Sequence, residues 1–351
     1  MTEKIKPLFE RKFVMFEKAK DVTDPKYGKK PSERSVPELI KKGFINLDKP
    51  AGPTSHEVVA WVKKILEIEK AGHPGTLDPA VTGVLPVALE DATKVLQSLL
   101  TAGKEYVGIM HLHGDVPEEK VKQVFSLFEG PIYQRPPVRS SVKRVLRVRT
   151  IYRLEFLEME NRDVLFKVAC QAGTYIRKLC HDIGILLGVE AHMKELRRIR
   201  TGSFKEDETL VTLQQVSEAY YLWKNEKDDA LLRRVILPVE FAVSHLPRII
   251  IRDSAVDAIC HGADLTAPGV LSVSNHISPG DMVAIFTLKA ELVALAKATM
   301  TTKQILKANH GVVADTDRVI MERGTYPPVS YTHLRAHETR HDLVCRLLLE
   351  K

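Results

Sequence analysis

From Gly43 onward, strand-like and helix-like stretches follow one another without a regular strand–helix–strand rhythm. That irregularity narrows the fold more than any other feature, because mixed runs of strands and helices indicate an α+β chain. Phe44–Leu47 reads as a short strand and Asp48-Lys49-Pro50-Ala51-Gly52-Pro53 as a turn. Thr54, with Glu57 three residues later, forms a capping box, and Val58, Val62 and Ile65 place an apolar stripe on the helix that follows. After the loop Gly72-His73-Pro74-Gly75-Thr76-Leu77-Asp78-Pro79 come an apolar run, Val84–Leu89, and a helix over Ala92–Leu100. Tyr106–His113, Val142–Thr150 and Val164–Cys170 read as strands, with a helix from about Glu118 to Phe128. A helix capped by Thr174 buries Ile176, Leu179, Ile183 and Leu187 and stops at Gly188. The basic run Lys194, Arg197, Arg198, Arg200 reads as the end of a further helix.

Past Pro247 the pattern changes. Arg248–Ile251 is a strand, Ser254–Cys260 a short helix, His261-Gly262-Ala263-Asp264 a turn, and Asp281–Leu288 with Glu291–Ala298 a hairpin. About 80 residues so rich in turns indicate a small β-rich second domain. At the other end, residues 1–36 are rich in Lys, carry Pro7, Pro25 and Pro31, and lack an apolar period. They read either as an extension that lies on another surface or as a disordered basic arm. The segment 329–351 places His333, His337 and His341 on one helical face, which would suit a metal. The run from Leu334 resembles a translated sequencing-library adapter, so it is set aside as a scar.

Composition limits function. The 351 residues carry 52 basic and 45 acidic side chains, a net +7 with a pI near 9.0, which permits a polyanionic partner. No apolar run approaches the roughly 20 residues of a membrane helix, and Met1–Lys6 lacks the apolar stretch of a secretory signal, which points to an intracellular protein. Cys170, Cys180, Cys260 and Cys345 include no C-x-x-C pair, so neither a disulfide framework nor a four-Cys zinc site is expected. His111 and His113 project to one side of a strand with no third ligand nearby in sequence, so packing or surface is the better reading than metal. No phosphate-binding glycine loop or dinucleotide fingerprint is present.

The chemistry concentrates in three places. In Gly72–Pro79, two glycines and two prolines stiffen a loop around one carboxylate, Asp78; this suits a nucleophile or base, and equally an ordinary Asp-Pro turn. In Gly173-Thr174-Tyr175-Ile176-Arg177, an arginine occupies a first helical turn, where the helix dipole favours acids. A facing carboxylate would explain it, and so would exposure to solvent. Tyr106, in Lys104-Glu105-Tyr106, could stack on a base or simply pack. Two basic clusters suit phosphates or solvent: Arg135, Arg139, Lys143, Arg144, Arg147 and Arg149, then Lys194, Arg197, Arg198 and Arg200.

Together, Asp48–His56, Gly72–Pro79, Lys104-Glu105-Tyr106 and Gly173–Arg177 resemble the TruB-type pseudouridine synthases. Gln134-Arg135-Pro136-Pro137, Lys143-Arg144, Glu195–Arg198, Asp253–Val256 and Val319–Tyr326 resemble the dyskerin branch, the catalytic subunit of box H/ACA ribonucleoproteins. The likeness runs from about residue 5 to 328, and Pro74 is its one local departure, where the family usually has a small residue. It implies a mixed-sheet pseudouridine synthase domain over 37–245 and a PUA domain over 248–328, with residues 1–36 packed on the latter. It implies conversion of uridine to pseudouridine in rRNA or tRNA without any cofactor or metal. The implied partners are a box H/ACA guide RNA, the substrate RNA and small accessory proteins, a kink-turn-binding protein among them, and no membrane. The implied place is the cytoplasm, or the nucleolus in a eukaryote. Asp78 is then the essential carboxylate, Arg177 the cation that keeps it ionised in a dry pocket, and Tyr106 the ring that stacks on the uracil. His73 and Leu196 line the site of the flipped nucleotide. Arg139, Lys143, Arg144, Arg197 and Arg198 hold RNA backbone, and Gly262, Ala263, Pro268 and Gly269 grip the guide RNA. The alternatives are a stand-alone tRNA modifier and a non-catalytic RNA-binding scaffold.

Overall fold

The structure is a computed structural model that describes residues 7–136 and 145–328, and it divides into two compact units. One takes the chain up to Val14 together with Pro31–Pro247; the other takes Met15–Lys30 together with the chain from Arg248. The N-terminal stretch is thus shared between the units rather than forming one extension.

The first unit is built on a ten-stranded mixed sheet whose main path runs Ile236–Pro238, Gly43–Lys49, Thr82–Leu89, Ala191–Thr201, Lys104–Leu112, Asp163–Cys170, Arg147–Glu160, Gly130–Gln134. Thr82–Leu89 is buried nearly throughout, whereas Ala191–Thr201 beside it buries only Ala191, Arg198 and Thr201. Ser55–Leu66 buries Val58, Val62 and Leu66, and its Thr54–Glu57 capping box forms as the sequence indicates. Ile176–Leu187 buries Ile176, Leu179, Ile183 and Leu187 and ends at Gly188 in the left-handed conformation.

Two expectations fail. Lys194–Arg200 is not helical: it lies in the strand Ala191–Thr201, paired antiparallel with Lys104–Leu112 and parallel with Thr82 and Gly83. Leu, Lys, Glu and Arg are good helix formers, but pairing on both edges at the centre of a sheet overrides that preference. Thr174 does not cap the next helix either. Its hydroxyl donates to the Gln171 carbonyl at 2.7 Å, and Tyr175 occupies the capping position.

Among the described residues, Thr82–Leu89 and Ala191–Thr201 form the one parallel strand pair in this sheet, Thr82 opposite Arg197 and Gly83 opposite Arg198. Gly83 has φ +99°, and a Cβ there would lie 2.2 Å from the Arg198 carbonyl oxygen. Only glycine lets these strands meet where the site is built.

The second unit is a seven-stranded sheet in the order Met15–Glu17, Val270–Ser274, Arg248–Ile251, Met282–Phe286, Leu292–Ala298, Val312–Val319, Leu265–Thr266. Its hairpin Met282–Phe286/Leu292–Ala298 and helix Asp253–Cys260 match the sequence reading; the strand Met15–Glu17 was not legible there. The arm residues are held by polar contacts: Thr23 Oγ1 and Asp24 N donate to Asp253, and Lys29 N donates to Glu291, whose carboxylate is buried and also receives the Tyr326 hydroxyl at 2.7 Å. Among the described residues, no helix is long and apolar enough to cross a membrane.

Candidate active site

The loop that carries Asp78 is fixed from three sides. Ser55, at the start of its helix, exchanges two hydrogen bonds with Leu77: Oγ accepts from Leu77 N at 2.9 Å and donates to Leu77 O at 3.1 Å. Lys49, fully buried, donates to the carbonyls of Pro50, Pro79 and Val81 at 2.8, 3.0 and 2.9 Å. Arg198, also buried, donates to Val84 O at 2.8 Å and more weakly to Gly75 O at 3.3 and 3.4 Å. Leu77 is buried, so neighbouring Asp78, on the exposed side of the turn, points outward. Pro74 is buried in the same loop, and its ring restricts the backbone there.

Asp78 Oδ2 meets Arg177 Nη2 at 3.0 Å, across a pocket of about 350 Å³. Both side chains are half-exposed, 50% for Asp78 and 58% for Arg177, so the pair does not sit in the dry pocket expected. An ion pair this wet contributes about 0–1 kcal/mol to stability, so its value is geometric. Tyr106, Leu196, Met193, Lys104 and Arg198 line the same pocket. Tyr106 is buried, which raises its pKa against the opposing pull of the Arg198 guanidinium and keeps it a neutral phenol. Lys104 is pushed down to about 7, first by burial and then by Arg198, while its Nζ reaches the carbonyls of Leu99, Leu100 and Ala102. His73 lies at the loop's base, its Nδ1 accepting from Gly75 N at 3.3 Å and its ring edge-on to His56. Burial, then His56 and Arg198, lowers its pKa to about 4, so the ring is neutral.

The guanidiniums of the basic strand, expected on RNA backbone, are engaged within the protein. Arg198 is the largest fully buried side chain among the described residues and lines the pocket. Arg197 is committed to Asp48, through two bonds at 3.0 Å, and to Glu206 at 2.8 Å; Asp48, then Glu206, raises its pKa. Arg200 binds Glu105 at 2.7 Å and lies over the Phe9 ring. A guanidinium already satisfied by carboxylates or carbonyls has few donors left for phosphate. Arg139, Lys143 and Arg144 lie outside the described residues. In the second unit, Gly262, Ala263 and Pro268 are exposed, Gly262 in an open turn at φ +90°. Gly269 is buried, and a Cβ there would press on Ala255 at 3.1 Å, so it serves packing rather than an RNA surface.

His111 has a third ring beside it that sequence distance concealed. His192 stands opposite it in register, the two rings 5.3 Å apart, and His113 Nε2 meets His192 Nδ1 at 2.8 Å. Asp163 takes His111 Nδ1 at 2.6 Å, and among the described residues no group of three His, Cys, Asp or Glu is set to hold a metal ion. Cys170 and Cys180 are buried thiols whose pKa burial pushes up to about 12.

The comparisons with known proteins fall on the same elements. The model described as "TruB family pseudouridylate synthase (N terminal domain)" matches residues 63–176, which hold Asp78, Tyr106 and the loop before Arg177. The model described as "tRNA pseudouridylate synthase B C-terminal domain" matches 177–244. The "Probable tRNA pseudouridine synthase B" of Methanopyrus kandleri is 62% identical over 319 residues, covering 91% of this chain and 94% of the relative. The chain belongs to the TruB family of pseudouridine synthases. The PUA model matches 247–320 and the DKCLD model 2–59, so family likeness extends through the second unit and the N-terminal stretch. Among solved structures, the chain matches one in "Crystal Structure of a Cbf5-Nop10-Gar1 Complex" at TM-score 0.89 and 56% identity, covering 92% of this chain and 98% of that one. It matches one in "Structure of H/ACA RNP bound to a substrate RNA containing 2'-deoxyuridine" at TM-score 0.87 and 54% identity, covering 92% and 99%. In this TruB-family synthase Asp78, Tyr106 and Arg177 line one pocket.

Proposed function

We propose that this chain is the catalytic subunit of a box H/ACA ribonucleoprotein and converts uridine to pseudouridine in RNA selected by a guide. The observation that carries the reading is its near end-to-end match to a protein chain of an H/ACA particle bound to substrate RNA. The proposed partners are therefore a guide RNA, substrate rRNA or tRNA, and small accessory proteins; the Cbf5 chain it resembles is assembled with Nop10 and Gar1. Without a nucleus such a particle works in the cytoplasm, and in a eukaryote in the nucleolus.

The reaction breaks the N1–C1′ bond, turns the uracil, joins C5 to C1′, and moves a proton from C5 to N1. Asp78 acts at the sugar, as nucleophile at C1′ or as base toward a sugar proton; both need its carboxylate ionised and aimed. Arg177 aims it, through the 3.0 Å contact. Tyr106 offers its ring to the flipped base and His73 and Leu196 border the nucleotide. Docked RNA would exclude water from the half-exposed pair, strengthening it where the unliganded pocket does not. Exposed Gly262, Ala263 and Pro268 offer a turn to the guide RNA, and Arg139, Lys143 and Arg144 remain candidates for backbone contacts.

A second reading has its own support, since relatives at up to 62% identity are named as tRNA pseudouridine synthases. The test is pseudouridine formation on one RNA with and without an H/ACA guide and the accessory proteins. Turnover only with the guide supports the first reading, turnover on tRNA without it the second, and RNA binding without product on any substrate would leave a scaffold.

A further inference from the structure

The helix Ile176–Leu187 holds Arg177 against Asp78, yet its N-terminus receives no capping bond from a local side chain. The first N–H groups of a helix need partners from elsewhere. One comes from Gln134, about forty residues away in sequence. Its Oε1 accepts from Tyr175 N at 2.9 Å, and its Nε2 donates to Tyr175 O at 3.1 Å. The side chain is 1% exposed, so water competes for neither bond. Tyr175 O also receives the first helical bond, from Leu179 N at 3.0 Å. One carboxamide therefore grips both backbone polar groups of the residue that begins the helix.

Gln134 ends the strand Gly130–Gln134, opposite Arg147 on the neighbouring strand. Beyond it the chain leaves the sheet through Arg135 and Pro136, which share a groove of about 850 Å³ with Arg177 and Lys178. The Gln134 bonds thus tie the base of that groove's wall to the backbone two residues before Arg177.

We propose that Gln134 is a positioning residue: its carboxamide sets the helix N-terminus so that Arg177 meets Asp78. This rests on the reading of Asp78 and Arg177 as the working pair. The chemistry is specific to an amide, because Tyr175 presents a donor and an acceptor together. Glutamine offers the complementary pair on one rigid plane; glutamate lacks the donor and methionine lacks both. Misplacing a group that aims a reacting atom by about 1 Å can cost on the order of 100-fold in rate.

The experiment compares Gln134→Met and Gln134→Glu, each alone and combined with Arg177→Ala, in single-turnover assays at saturating RNA that the wild-type chain modifies. The expected result is a roughly 10- to 100-fold slower step for Gln134→Met, with RNA affinity within a few-fold. In the Arg177→Ala background the same change should add little, because the residue acts through Arg177. If Gln134→Met does not fold, Gln134→Glu carries the test. Its introduced carboxyl regains the missing donor when protonated, so its rate relative to wild type should recover as the pH falls. Equal losses in both backgrounds, near-wild-type turnover of Gln134→Met, or a Gln134→Glu pH profile parallel to wild type would each overturn the proposal. Asp78→Asn in the same assay separates the two levels: if it remains active, the catalytic reading has failed rather than the glutamine's role.

Discussion

Replacing Lys49 with methionine should damage the fold and the chemistry together, because one ammonium holds both ends of the turn that presents Asp78. Its three donors meet Pro50 O, Pro79 O and Val81 O at 2.8–3.0 Å, and the side chain is wholly buried. Methionine fills a similar volume and leaves those three carbonyls without that donor. Pro79 O keeps its Gly52 N–H, so two carbonyls lose their partner, and at about 1–3 kcal/mol for each stripped acceptor the gross loss is at most about 2–6 kcal/mol. Against this, the wild type pays to keep a charge from water: burial and the nearby Arg198 lower the Lys49 pKa, with Asp78 offsetting part of it. Removing the charge recovers some of that cost, and because the partners are neutral carbonyls no unpaired charge is left behind, so the net loss should be about 1–4 kcal/mol. The Gly52 N–H to Pro79 O bond at 3.0 Å and the Ser55–Leu77 pair remain, so the loop should loosen without leaving the unit. Urea unfolding measures the stability, and single-turnover rate against RNA affinity measures the loop. A variant within about 1 kcal/mol of wild type, turning over normally, would refute the claim that these three bonds present the acid.

Asp78→Asn should abolish pseudouridine formation while RNA affinity stays within a few-fold, as single-turnover and filter-binding measurements would show, since one fixed carboxylate serves the chemistry and many contacts serve binding. Arg177→Ala should slow single turnover by roughly 10- to 100-fold yet shift unfolding by less than about 1 kcal/mol, because the ion pair is half-exposed; a large fall in melting temperature would show that the arginine is structural. His245 is 5% exposed, and burial lowers its pKa from 6.5 to about 4. Between those values the unfolded chain binds a proton that the fold does not, so stability falls as the pH drops through that window, by about 3 kcal/mol at 1.4 kcal/mol per pH unit. His73 carries the same shift, so urea midpoints across the window should fall at least that steeply, and His245→Gln should remove one histidine's share and leave that of His73.

The site was legible where local sequence determines local geometry. Thr54 and Glu57 cap their helix with bonds that span three residues, and the glycine- and proline-bound loop holds Asp78 as its spacing suggests. What failed to show is set by partners far away in sequence. Arg197 and Arg198 differ by one position, yet one is neutralised by Asp48 and Glu206 and the other is buried under Gly75 and Val84. A count of positive charges cannot distinguish either from a phosphate-binding arginine, because the deciding carboxylates and carbonyls arrive only when Ala191–Thr201 enters the sheet. The same pairing turned an expected helix into a strand and brought His192 to His111.

Thr174 shows the other side of the argument. Its position licensed a cap, and the hydroxyl chose the nearer Gln171 carbonyl instead. Tyr175 begins the helix instead, and its backbone N–H and carbonyl are bonded from another strand. Gln134 makes both bonds. The Asp78–Arg177 arrangement is therefore not the property of that loop and that helix alone. It depends on buried side chains, Lys49, Arg198 and Gln134, each of which satisfies backbone groups on an element distant from its own. An active site assembled this way should tolerate change in its exposed ion pair with little loss of fold. It should tolerate far less in the buried residues that aim it.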